Sequence, residues 1–481
     1  MDLSGSILIK NLTYVLTMNS KRDVLRDTSI VVQDGKITGI GCFEELYNDG
    51  QTVLDGKGKI ALPGFINAHA HGLSILTRGG LSPDRRLRDW LVNINRPGYE
   101  GCTLEEVKSA LRAFACECIC SGITTVVEME GYQGEDFAEV LIQEFREAGL
   151  RVVYAPMIND DSMPLELRNL ADLFSHRYDH VPVAATKIFE TDEMLAIVEQ
   201  LIKKYHCSSN DMVRVWPAIR TINEVTECAI QGLLDISKKY HTLTTIHVAE
   251  SDLLESLKYG LNAIDYLASM GCLNDRMVLA HCVQVNDRDI RLIKSHGARI
   301  VHNPAANAYL GSGIAPVHKF IMAEIPVGIG LDNPNCNDGV NMFADMRLAA
   351  LTQKGVNRDP ACITAEKLLE MATIDGAFVL DYHDKIGSIE KGKDADLILI
   401  DTNFLNIQPI YHVPSVLVYQ TKGHEIDTVM VRGRVLMHGG RLVGVDEKKV
   451  IEQLRDSSQK VIHRMNLCGF AERGWKSYSD L

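Results

Sequence analysis

The chain has 481 residues, 46% of them hydrophobic and 23% charged, and a net charge of −13. That balance belongs to a globular protein whose length exceeds one ordinary core unless the core is a large barrel. Net acidity without a Lys/Arg-rich run speaks against a nucleic-acid surface, and no run of about eighteen apolar residues exists to form a membrane span. The opening MDLSGSILIKNL lacks the basic segment and apolar stretch of a secretory signal, so a cytoplasmic protein is expected. Twelve cysteines without a paired framework fit thiols in a reducing compartment.

Ile7-Leu8-Ile9, Tyr14-Val15-Leu16 and Ser29-Ile30-Val31-Val32 are predicted strands, with Gln33-Asp34-Gly35-Lys36 as a hairpin turn. A strand ending in Asn67-Ala68-His69-Ala70-His71 follows. Thr103-Leu104-Glu105-Glu106 has capping-box spacing, and Val107, Leu111, Phe114, Ala115 and Cys118 form the apolar stripe of a helix ending near Gly122. Cys116, Cys118 and Cys120 fall on that helix, where positions two apart face different ways, so they are not expected to share an ion. Ile123-Thr124-Thr125-Val126-Val127 is a β-branched strand. Further strands are predicted at Arg151–Tyr154, Val213–Pro217, Leu243–His247, Met277–His281, Ala298–Asn303 and Val327–Asp332, most of them preceded by a helical stretch. Eight such strands predict an α/β fold, a (β/α)₈ TIM barrel over residues 61–384. Asp396–Ile400, Thr428–Gly433 and Leu436–Gly440 repeat the pattern of the amino terminus. Residues 1–60 and 385–481 are therefore expected to build a small β-sandwich from both termini, with a helical extension at the end.

In a barrel of this kind the functional face lies at the carboxyl ends of the strands. His69 and His71 end the first predicted strand, and their spacing of two puts both on one face. His247, His281 and Asp332 end the fifth, sixth and eighth. A single histidine at a strand end is usually structural, and an Asp after an apolar strand is often only a turn residue. Four strand ends carrying such groups together point to one divalent ion, Zn²⁺ or Fe²⁺, with a position left for water. Such an ion brings the pKa of water to about 7. Proton transfer is then expected from Glu250, three residues after His247, although Glu250-Ser251-Asp252 also suits the opening turn of a helix.

Pro63-Gly64-Phe65-Ile66-Asn67-Ala68-His69-Ala70-His71, His247-Val248-Ala249-Glu250, Ala280-His281-Cys282 and Gly330-Leu331-Asp332-Asn333 resemble the amidohydrolase superfamily. So does Gly387–Leu397 near the end of the chain. Asn307–Val317 and Leu369–Ala377 resemble its s-triazine branch, that of atrazine chlorohydrolase and melamine deaminase. The resemblance implies that His69, His71, His247 and Asp332 hold one metal and that Glu250 shuttles protons. It also implies that His281 hydrogen-bonds the attacking water or the substrate rather than binding the ion strongly; with Asp332 it is expected to orient the water and stabilise developing charge. Val215-Trp216-Pro217-Ala218 holds no lysine where two-metal relatives carry one. Leu87, Trp90, Glu128, Asn303, Leu310, Asn333 and Cys336 are implied substrate-binding positions, Trp90 being readable as ordinary core too. Glu128 and Asn333 follow the chlorohydrolase, Leu87 and Cys336 the deaminase, whereas Ser74 and the loop Ile219–Asn223 depart from both.

The expected activity is deamination of an aminated nitrogen heterocycle (triazine, pyrimidine, purine or pterin) with release of ammonia. Dechlorination of a chloro-s-triazine at the same site is the alternative. A hydantoinase-type cyclic amidase would prefer the missing lysine, and a non-catalytic binding or scaffold barrel would be expected to have lost ligands. The expected partners are a small heterocyclic substrate and further copies of the chain in a homo-oligomer, with Val450–Leu481 available for contacts.

Overall fold

In the computed structural model of the chain, residues 5–81, 85–96, 98, 101–160, 189–251 and 257–471 are described. The first two predicted strands are one, β1 (Ile7–Leu16), whose register shifts between Ile9 and Leu12. Asn11, at φ 54°, absorbs the extra residue as a bulge. Strands β2 (Val24–Gln33) and β3 (Lys36–Gly41) meet at Asp34-Gly35, both with positive φ, as the tight hairpin requires. A side chain at Gly35 would also stand 2.8 Å from the Arg432 carbonyl oxygen. Strands β4 (Thr52–Asp55) and β5 (Lys59–Pro63) complete the amino-terminal set.

The central region holds two parallel arcs. β6 (Phe65–Ala70), β7 (Ile123–Glu128), β8 (Arg151–Tyr154) and β9 (Val213–Val215) form the first. The second begins with β10 (Ala218–Ile219) and β11 (Thr244–Val248). After a short hairpin, β12 (Leu257–Lys258) with β13 (Leu261–Asn262), it continues through β14 (Met277–His281), β15 (Arg299–His302) and β16 (Val327–Ile329). The continuous eight-stranded barrel expected from the sequence is thus interrupted at two seams. At one, the predicted fourth strand breaks at Pro217, which has no N–H for a ladder. Trp216 still donates to Tyr154 O at 3.0 Å, while Pro217 O accepts from Thr245 N at 3.1 Å, so the strand changes partners there. At the other seam, Asp332 N donates to His69 O at 2.9 Å across a single bridge. The close approach needs Gly330, where a Cβ would lie 2.2 Å from Asn303 Oδ1 and 2.8 Å from His69 Cβ.

Alternate strand residues Ile66, Val127, Val153, Val278 and Val301 gather with Leu380 and Tyr382 in an inner core. The outward faces pack under helices in a larger core. The helix Leu104–Cys120 carries the predicted capping box. Thr103 Oγ1 accepts from Glu106 N at 3.3 Å, and Glu106 Oε2 accepts from Thr103 N at 2.8 Å. Cys118 is buried on it and Cys120 exposed, so the three cysteines do face apart.

Strands β17 (Leu397–Asp401), β18 (Ile426–Val431), β19 (Arg434–His438) and β20 (Arg441–Leu442) return to the amino-terminal set. Hydrogen bonds join all nine in one continuous sheet, β20-β19-β18-β17-β5-β1-β2-β3 with β4 beside β1. One face gathers Ile9, Val15, Ile30, Ile37, Leu397 and Met430 in its own core. The other sends Leu62, Ile398, Ile400, Val429 and Val431 into the large core under the helices. Arg151 of β8, wholly buried, reaches Asp394 at 2.9 Å and Asp396 at 3.4 Å, pairing a charge that burial alone would penalise. Among the described residues no helix is long and apolar enough to cross a membrane.

Candidate active site

Six residues from the ends of β6, β11, β14 and β16 meet at one point. His71 Nε2 and His247 Nε2 are 3.2 Å apart, and Asp332 Oδ1 lies 3.7 Å from His69 Nε2 and 3.6 Å from His71 Nε2. His281 Nε2 faces Asp332 Oδ2 at 3.9 Å and Glu250 Oε2 at 3.7 Å. The backbone here is held in an uncommon conformation. Ala249, His281, Cys282 and Asp332 have φ of 49°, 77°, 48° and 61°, a left-handed setting that costs a non-glycine residue about 1–3 kcal/mol and recurs at functional sites.

The tautomers can be read from the partners. His247 Nδ1 lies 2.8 Å from Arg220 O, and a carbonyl only accepts, so Nδ1 carries the proton and Nε2 a lone pair. His71 bonds the Met129 backbone, whose N–H is already given to Ala70 O, so it too donates there and presents a bare Nε2. Two lone pairs therefore oppose each other at 3.2 Å, a contact that only a cation or a proton makes favourable. A proton is disfavoured. Burial, with the neighbouring imidazoles, holds His71 and His247 down at about 3 and His69 well below its ordinary value. Both ring nitrogens of His69 are buried without a hydrogen-bond partner. Donors bonded to one zinc at about 2.0–2.2 Å stand roughly 3.2–3.6 Å from one another, close to the separations here. The donor set fits a divalent ion. Among the described residues the triads that can hold one are His69-His71-His247 and His69-His281-Asp332; Cys116, Cys118 and Cys120 belong to neither.

A second layer fixes these groups. Asn333 donates to Asp332 Oδ1 twice, from its backbone and its side chain, both at 2.8 Å. His281 Nδ1 lies 2.9 Å from Asn307 Oδ1 and 3.2 Å from Asn303 Nδ2. One nitrogen cannot donate and accept at once; the shorter bond sets Nδ1 as donor and leaves the Nε2 lone pair facing Glu250. With the Asn303 amide turned, that nitrogen has a second acceptor in Asn303 Oδ1, which otherwise lacks a partner. After His71 the chain enters the turn Gly72–Thr77, pinned by two buried acids of β7 and its continuation. Glu128 Oε1 accepts from Gly72 N at 2.6 Å and Glu130 Oε1 from Leu73 N at 3.0 Å. Burial and mutual repulsion raise Glu128 well above the carboxylate range, and burial raises Glu130 to about 7.

Of the positions expected to bind substrate, Leu87, Trp90, Leu310 and Cys336 form one apolar cluster. It borders the polar group through Cys336, whose thiol is pushed up first by burial and then by the Asp332 and Glu250 carboxylates. Glu128, Asn303 and Asn333 are buried and engaged with Gly72, His281 and Asp332 respectively. Sequence reasoning passed over Glu130 and Asn307. Glu130 had a signal, since it sits two residues after Glu128 and so on the same side of an extended chain; Asn307, inside a short helix, had none.

Residues 60–436 match the profile of the Amidohydrolase family. A 5-methylthioadenosine/S-adenosylhomocysteine deaminase of Acetivibrio thermocellus is 31% identical over 466 residues, 95% of this chain and 100% of that protein. An S-triazine hydrolase of Gordonia rubripertincta is 36% identical over 337 residues, 69% of this chain and 70% of that one. Among solved structures, an adenosine deaminase of Xanthomonas campestris with bound zinc superposes with a TM-score of 0.84 at 25% identity, over 95% of this chain and 99% of that one. The atrazine chlorohydrolase of Arthrobacter aurescens TC1 complexed with zinc gives 0.83 at 25% identity, over 94% and 100%.

Proposed function

The chain belongs to the amidohydrolase family, and from that premise we propose that it is a metal-dependent aminohydrolase, replacing an exocyclic amino group of a nitrogen heterocycle by oxygen from water and releasing ammonia. The observation that carries this reading is the pair of opposed lone pairs on His71 and His247, set among further nitrogen and oxygen donors that fit one ion. His69, His71, His247 and Asp332 are the residues that would hold it, and zinc is our choice because the related structures named above carry it. When bound, an ion of this kind acidifies water towards neutrality.

The rest is work for side chains. Glu250 takes a proton from the attacking water and returns it to the ring nitrogen beside the reacting carbon; the proton left on the added oxygen then passes to the amino group, whose bond to that carbon breaks to release ammonia. The lone pair of His281 Nε2 accepts a hydrogen bond from the same water, its ring held by Asn307. Asp332 Oδ2, on the His281 side, helps to orient it. The cluster of Leu87, Trp90, Leu310 and Cys336 offers an apolar surface to a flat ring and keeps bulk water away. Glu128, Asn303 and Asn333 support these groups.

Relatives matching over their whole length are named as deaminases of adenosine derivatives, which supports a 6-aminopurine as the first ring to try. The triazine hydrolase match supports an aminated triazine next, and keeps dechlorination as the second reading. The same proposal includes a barrel unit of 61–384 between two parts of a terminal β unit, and cytoplasmic homo-oligomers, to which twelve free cysteines are suited. The test is ammonium release, with chloride followed in parallel, from zinc-loaded protein given amino- and chloro-substituted purines, pyrimidines, pterins and triazines. Ammonium from an aminated ring supports deamination, chloride alone transfers the protein to the dehalogenases, and neither ion removes this substrate class.

A further inference from the structure

The helix Glu447–Arg464 lies outside the central arcs, yet it is tied to the segment that follows His71. Ser458 Oγ donates to Leu76 O at 2.6 Å, within the turn that Glu128 and Glu130 pin. Ser457 Oγ and Ser109 Oγ bond at 2.7 Å, and the Arg464 guanidinium sits on both oxygens of Glu106 at 2.6 and 3.1 Å. Beyond the helix Asn466 takes a left-handed turn at φ 55°, and Leu467 N closes back on Ile462 O at 2.8 Å. That turn delivers Leu467, fully buried, into the cluster of Leu87, Trp90, Leu310 and Cys336, with Ile462 and Met465 packed at its edge.

The wall residues come from three separate loops: Leu87 and Trp90 after β6, Leu310 after β15, Cys336 after β16. Loops that carry a recognition surface need a rigid backing to hold its shape. Here the carboxyl-terminal segment sends Leu467 into the one cluster to which all three contribute. We propose that Leu467 is a specificity-determining positioning residue, through which the segment Ile462–Leu467 backs the apolar wall of the substrate pocket and sets its width. The proposal rests on the aminohydrolase reading for what the pocket accepts. Shortening Leu467 lets Leu87 and Trp90 settle outward, so a wide ring system gains on a narrow one while the metal and proton-transfer groups stay in place.

The experiment uses the full-length, zinc-loaded protein and compares Leu467→Ala and Leu467→Met with the parent. Ammonium release is measured on a 6-aminopurine nucleoside and on a single-ring aminopyrimidine, together with zinc affinity, thermal melting and acrylamide quenching of tryptophan fluorescence. Leu467→Ala should shift the ratio of the two KM values by about tenfold with little change in kcat, and Leu467→Met should restore the ratio. An equal loss on both substrates in step with lowered melting, or no change at all, overturns the proposal. Should the parent release ammonium from neither ring, the aminohydrolase reading fails for these two ring classes, and quenching decides the wall by itself. Raised quenching in Leu467→Ala but not in Leu467→Met supports it, and identical quenching in all three proteins overturns it.

Discussion

Replacing Glu130 tests how the metal-binding end of β6 is held. Its Oε1 accepts from Leu73 N at 3.0 Å, beside the 2.6 Å bond from Gly72 N to Glu128. Glu130→Ala leaves the Leu73 N–H buried without an acceptor, at a cost of about 1–3 kcal/mol, and opens a cavity as well. Glu130→Gln keeps a carbonyl oxygen of the same reach and removes only the acid, which burial already raises to about 7. Leu73 stands two residues after His71, so slack in the turn reaches the ligand itself. At about 1.4 kcal/mol per tenfold, the lost acceptor corresponds to zinc affinity weaker by roughly ten- to hundredfold. The assay is competition for zinc against a chromophoric chelator, with melting of the metal-free and zinc-loaded forms. Glu130→Ala should show that loss and Glu130→Gln stay close to the parent. Equal affinity in all three proteins would refute the idea that this carboxylate braces His71. An equal loss in both variants would refute the acceptor argument and point to charge instead.

Glu250→Ala should lower ammonium release at least about a hundredfold while zinc content stays unchanged; turnover retained by the variant would take Glu250 out of the mechanism. Asp345 accepts from Asn337 Nδ2 at 3.0 Å and from Ala305 N at 3.3 Å, and burial raises its carboxyl to about 7. A folded value above the unfolded one means that the fold prefers the protonated acid. This contribution is complete below about pH 4 and is lost as pH climbs to about 7, a span worth at most roughly 4 kcal/mol. Asp345→Asn should flatten the melting profile between those limits, and parallel profiles for variant and parent would sink the assignment.

The strand ends were readable because two simple signals coincide there: a short apolar run, and a histidine or aspartate where it stops. Alternation along the chain then set His69 and His71 on one side without any knowledge of neighbours. What the sequence could not tell was pairing. Val213–Ile219 reads as one strand, and only the ladders reveal that Trp216 still belongs to β8 while Pro217 already belongs to β11. The termini were legible as β-rich and as partners, yet whether nine strands join in one sheet or two depends on the β5–β17 contact, which no local pattern encodes. Roles were harder than positions. Asn303 was assigned to substrate on resemblance, and the contact of its amide with His281 was not foreseen. Leu467 is one of several apolar residues between Val461 and Phe470, and only a long-range contact singles it out.

The two seams carry a consequence for how the protein is made. His69 and His71 belong to the arc that leaves the ribosome first, His247 and His281 to the second arc, and Asp332 follows its last strand. No nascent chain shorter than 332 residues contains the whole donor set, and an emerging first half offers only two of its imidazoles. On the proposed ligand set, an ion could be held by all of its donors only once synthesis has passed Asp332. From then on one small group, bound there, would fasten both halves, much as a clasp fixes a ring that was threaded open.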